Sequence, residues 1–268
     1  MPSSKPSPNR RRLLGATACL GLSCACGAAF AWPTDDYASP PDQDRPPEEA
    51  AQGEIACSWS ASYGGTGGPG PQLFSSTGNP MLDQGMTLEH AILSQTFGVR
   101  PGLFMLNDGN QGNAFATTAI LGNHPYPHGT VVFGMTLMME EFVKAGPMGG
   151  RADHAMMGIL AHEWGHILQF MNVKARPPGK AMELHADGLA GWYMGMRAMQ
   201  LAQWNPVDLR TTMLSFFRKG DYAFNDPSHH GTPQERVQAF QGGLQAVHQG
   251  ASLPSFFQQS AAWHGLPL

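Results

Sequence analysis

Ala161-His162-Glu163-Trp164-Gly165-His166-Ile167-Leu168-Gln169, followed after a break by Glu183-Leu184-His185-Ala186-Asp187, is the stretch whose reading decides the fold. Met156, Ile159, Leu160, Ile167, Leu168 and Met171 recur at helical spacing, so Asp153 to Val173 reads as an amphipathic helix. On it His162 and His166, at i and i+4, project from one face and can share a metal ion. Glu163 lies beside them, within reach of a water on that metal. Such a set of imidazoles and carboxylate suits Zn²⁺, which needs three protein ligands and an open fourth position.

The third ligand has to come from elsewhere. Arg176-Pro177-Pro178-Gly179 ends the helix, because proline lacks an amide hydrogen and disfavours helix in the residue before it. A second helix is expected from Lys180 onward, folded beside the first. It returns the carboxylate of Glu183, 17 residues after His166, to the metal. Asp187, one turn further on the same face, can accept the free ring N–H of a ligand histidine and fix its tautomer. His185 points about 160° away around the helix and is left out of the site. His90, His154, His248 and His264 read as structural or exposed, and Met194, Met196 and Met199 as core.

These segments resemble the gluzincin metallopeptidases, in which a glutamate on the next helix, followed four residues later by an aspartate, completes an H-E-x-x-H site. They are similar to bacterial neutral zinc metallopeptidases with an H-E-x-G-H…E-L-x-A-D signature. Asn113-Ala114-Phe115-Ala116 with Gly129-Thr130-Val131-Val132-Phe133-Gly134 resembles the strand pair upstream of the zinc helix in CAAX-protease-like gluzincins. Ser228-His229-His230-Gly231-Thr232-Pro233-Gln234-Glu235-Arg236 resembles an element near the end of both groups. The likeness runs over residues 86 to 245, with Gly122 to Gly129 as an insertion. It implies one zinc per chain on His162, His166 and Glu183, Glu163 as general base, and a peptide or unfolded protein as substrate. His230, or else His229, is the expected oxyanion donor, with Asp226 keeping the imidazole protonated. Asn113 to Ala116 is the expected edge for an extended peptide. Two other classes stay open: a non-proteolytic zinc amidase, and a zinc-stabilised binding or chaperone protein.

The rest of the chain bounds its address. Asn9-Arg10-Arg11-Arg12-Leu13-Leu14 leads an apolar stretch to Phe30, and Ala29-Phe30-Ala31 offers a cleavage site, so residues 1–31 read as a signal peptide. The arginines before two leucines resemble a twin-arginine signal, which implies periplasmic or secreted protein. A lipoprotein at Cys19 or Cys24 is the weaker reading. Cleavage removes four of the 16 basic residues and none of the 20 acidic ones, which argues against nucleic-acid binding. It also leaves Cys57 alone, with no intramolecular disulfide. After the signal no apolar run is long enough to span a bilayer.

Residues 32–85, rich in Pro and Gly, read as a flexible segment, and 86–268 as one metallopeptidase domain. Within it a helix from Thr87 to Phe97 is expected, then strands at 103–106, 114–120 and 130–135 and a helix at 137–144. Asn205-Pro206 starts a helix to Phe217, and Thr232-Pro233-Gln234-Glu235 is a capping box for one to Val247. The expected fold is α+β: a small zincin-like sheet beside a zinc-binding helix pair, with further C-terminal helices.

Overall fold

Asn79-Pro80 starts the first helix, α1 (Pro80–Phe97): the Asn79 side chain accepts from the amides of Met81 and Leu82 at 3.0 and 3.4 Å. Thr87, the expected cap, lies inside α1 and bonds the Asp83 carbonyl at 2.8 Å. Residues 72–85, expected within the flexible segment, thus supply the start of α1 and a short strand, β1 (Leu73–Phe74). The structure is a computed structural model, and residues 72–109, 112–175, 179–201, 206–222 and 229–268 are described. The signal peptide, Cys57, Arg176-Pro177-Pro178, Asn205, Asp226 and Ser228 lie outside the described residues.

A four-stranded mixed sheet follows from β1, β2 (Gly102–Leu106), β3 (Ala114–Thr117) and β4 (Thr130–Gly134), in the order β1-β2-β4-β3. β2 and β4 run parallel, with Gly102 opposite Thr130, while β3 pairs antiparallel with β4, Ala114 opposite Phe133. β3 stops at Thr117, short of the expected Ile120, and is an outer strand. The Gly122–Gly129 insertion folds back on the sheet. His124 accepts from the Tyr126 amide at 3.2 Å and His128 from the Arg100 amide at 2.7 Å.

α2 (Met135–Ala145) leads directly out of β4. Its first amides are satisfied from outside: buried Asp108 accepts from Thr136 at 2.7 Å and Leu137 at 3.2 Å. The same carboxylate accepts from the Asn113 amide at 3.0 Å, so one acid fixes both the helix start and the approach to β3.

α3 (Ala152–Asn172) and α4 (Lys180–Gln200) carry the motif residues. α3 is the expected helix but is more deeply buried than an amphipathic one. Its middle is buried on every face, with Trp164 and Ile167 inaccessible, while Met171, expected on the buried stripe, is 57% exposed. A helix walled by sheet and helices on all sides has no solvent face to keep polar. α5 (Pro206–Arg218), α6 (Pro233–His248) and α7 (Leu253–Trp263) complete seven α-helices among the described residues. α6 opens with the capping box, Thr232 and Glu235 exchanging side-chain-to-backbone bonds. It lies so close to α4 that a Cβ on Gly191 would sit 1.9 Å from the Phe240 carbonyl oxygen. The protein is therefore α+β, and among the described residues no helix is long and apolar enough to cross a membrane.

Candidate metal centre

Two facing helices bring the donors together. His162 and His166 stand one turn apart on α3, their rings perpendicular at 89° and their Nε2 atoms 2.9 Å apart. Glu183, in the first turn of α4, completes the triangle: Oε2 lies 3.4 Å from His162 Nε2 and Oε1 lies 3.3 Å from His166 Nε2. Ligand bonds of about 2.0–2.1 Å around a tetrahedral ion put donor atoms about 3.3 Å from one another, so the spacing fits. All three residues are buried, and the group can bind a metal ion.

The outer ring nitrogens are also held. His162 Nδ1 lies 2.8 Å from Asp187 Oδ1, and a carboxylate this close favours a hydrogen on that nitrogen. His166 Nδ1 donates to Gln169 Oε1 at 2.7 Å. Gln169 is oriented in turn by donating through Nε2 to the Met182 carbonyl at 2.8 Å and to His185 Nδ1 at 2.9 Å. Both histidines therefore present Nε2 lone pairs to the shared point. His185 ends this relay by donating to the Phe257 carbonyl at 3.1 Å, away from the three donors.

Asp187 is anchored from α6. Arg236 donates to it through Nε and Nη2, each at 2.7 Å, and Nη2 also lies 3.2 Å from Glu183 Oε2. Burial works to raise the Asp187 pKa, but Arg236 outweighs it and holds the carboxyl below the usual range. Glu183 lies well below its usual value, since His166 and His162 overcome its desolvation. For His162, burial and His166 act downward, while Asp187 and Glu183 win and raise it.

Glu163 differs from every other acid here. It is buried, its Oε2 accepts no hydrogen bond among the described residues, and it borders a cavity of about 40 Å³ with His162 and Glu183. Burial above all, with Glu183 adding to it, raises its pKa. Asn113 and Ala114 at the head of β3 close one side of that cavity, and Phe216, Lys219 and Arg236 another. Such a space has room for an ion and about one water.

His229 and His230 are not among the residues lining this cavity. Both are drawn to Asp221: His229 Nδ1 contacts Oδ1, and His230 Nδ1 lies 3.4 Å from Oδ2, which also accepts from the His230 amide at 2.9 Å. Asp221 is the carboxylate that both histidines meet among the described residues, and the positive charges lining the cavity are Lys219 and Arg236. Sequence reasoning missed Gln169, although its i+3 spacing from His166 was a usable signal. Nothing local marked Lys219. Comparison with protein-family models, curated proteins and solved structures gave no match to this chain.

Proposed function

We propose that the protein is a zinc-dependent hydrolase of peptide bonds, with a zincin-like site built on α3 and α4. The observation that carries this reading is Glu163, a buried carboxylate whose Oε2 has no hydrogen-bond partner among the described residues, beside a three-donor group of which His162 and Glu183 line the same cavity. A closed structural site has no use for such a base. Two imidazoles and one carboxylate suit zinc with one position left open. Zinc, when bound there, acidifies a water toward a pKa of about 7 and polarises a carbonyl.

Glu163 then takes the proton of the attacking water and passes it to the leaving amine. Asp187 and Gln169 keep the two imidazoles aimed, and Arg236 keeps Asp187 ionised. β3 pairs with β4 on one side, and its first residue borders the cavity, so its other edge is the natural place for an extended peptide. His229 and His230, which meet Asp221 and do not line the cavity, are assigned no step here. The arginine-led, signal-like N-terminus supports reading this as an exported activity.

The test is direct. Zinc-loaded protein is incubated with an unfolded protein and, separately, with simple N-acyl amides, each with and without a chelator. Chelator-sensitive cleavage of the unfolded protein is the expected result. Cleavage of the small amides alone would make the enzyme an amidase, and no cleavage of either would overturn the reading.

A further inference from the structure

Hydrolysis of an amide leaves one task at the cavity unassigned. When the water oxygen adds to the carbonyl carbon, the π pair moves onto the carbonyl oxygen, and that charge needs a donor. The pair returns when the C–N bond breaks, with the proton held by Glu163 going to the departing nitrogen.

Lys219 stands at the right wall. It follows the last residue of α5, and its backbone is clamped: its amide donates to the Phe216 carbonyl at 3.1 Å, and its carbonyl accepts from Arg236 Nη1 at 3.3 Å. The next residue, Gly220, is pressed against the start of α6, where a Cβ would lie 2.3 Å from Pro233 N. The side chain is half-buried and borders the cavity with Glu163, His162 and Glu183.

Its ammonium makes no hydrogen bond or ion pair among the described residues, whereas the neighbouring cations are committed. Arg236 is spent on Asp187, Glu183 and the Lys219 carbonyl, and Lys144 is paired with Glu140 at 2.8 Å. The acids that act on Lys219 are Glu141 and Glu163, neither in a salt bridge among the described residues. A half-buried cation that borders the cavity, with no partner of its own among the described residues, is placed to meet an anion that forms there.

We propose that Lys219 is a catalytic residue whose ammonium binds the carbonyl oxygen of the scissile amide as it becomes negative. The inference rests on the hydrolase reading above.

The test uses the full zinc-loaded chain and N-phosphoryl-leucinamide, whose tetrahedral phosphoryl group carries the charge that the amide acquires only in transit. Calorimetry gives its affinity, elemental analysis the zinc content and circular dichroism the melting point. Lys219→Met is expected to keep zinc and fold while losing about 10²–10³-fold in affinity for the probe and in kcat, with KM little changed. Lys219→Arg is expected to recover part of both. Should Lys219→Met melt early, Lys219→Gln, which keeps a neutral donor, replaces it, with a smaller loss expected in both quantities. Wild-type cleavage with unchanged probe affinity and kcat in the folded variant would overturn the role of Lys219 and leave the hydrolase reading standing. Wild-type protein that neither cleaves an amide nor binds the probe would overturn both.

Discussion

Arg236 grips Asp187 through two parallel bonds of 2.7 Å, across 49 residues of chain, and Asp187 in turn lies 2.8 Å from His162 Nδ1. The start of α6 therefore sets the orientation of a donor on α3, through a carboxylate on α4 that is wholly buried. Removing Arg236 leaves that carboxylate with half its partners. Arg236→Met is expected to cost about 3–5 kcal/mol, as for other buried pairs broken on one side. Urea unfolding of the metal-free chain measures it. A cost under about 1 kcal/mol would show that Asp187 is held by other means.

Gln169 plays the matching part for His166, accepting from Nδ1 while its own amide is fixed by Met182 and His185. Gln169→Leu keeps the volume and loses the acceptor. Zinc affinity, measured by competition with a chromogenic chelator, is expected to fall about 10–100-fold with all three donors present. Unchanged affinity would mean that packing alone orients the ring.

Buried His185 is held neutral. It accepts from Gln169 and donates to the Phe257 carbonyl, and burial brings its pKa down to about 4 although the bond to Phe257 acts upward. The unfolded value is about 6.5, so between these limits the unfolded chain binds more protons than the folded one. Its contribution to stability is thus intact above about pH 6.5 and is lost progressively toward pH 4, up to about 3 kcal/mol. Urea midpoints of the metal-free chain at pH 7 and pH 5 read the fall, which His185→Gln is expected to reduce. An equal fall in both proteins would place the acid sensitivity elsewhere.

Gly191 lets α4 and α6 approach closely, and with them Asp187 and Arg236. Because its Cβ would lie 1.9 Å from Phe240 O, Gly191→Ala forces a shift and is expected to destabilise by about 1–3 kcal/mol despite the better helix propensity of alanine. A more stable variant, by thermal melting, would contradict the packing described.

The parts of the site that were legible in sequence are those with short-range signatures. His162, Glu163 and His166 share one turn, and Glu183 and Asp187 recur after a proline break, so helical geometry alone puts them on facing sides. Thr232 and Glu235 announce α6 in the same way. Relationships made across the fold were not legible. The pairing of Arg236 with Asp187, the clamp on Lys219, and Asp108 capping α2 all depend on which elements become neighbours. Met171 misled because its spacing matches the buried stripe while α3 has outrun its cover there. The meeting of His229 and His230 with Asp221 likewise depends on how the loop folds back, which no local signal gives.

His162, His166 and Glu183 are proposed to hold a catalytic metal, with Glu163 as the base beside it. The most direct test is the turnover of Glu163→Gln with its zinc content shown to be full. The amide keeps the size of the side chain but cannot take a proton from water. Zinc is expected to be retained and hydrolysis of an unfolded protein to fall by about 10²–10⁴-fold. Wild-type turnover in the metal-replete variant would contradict that role for Glu163.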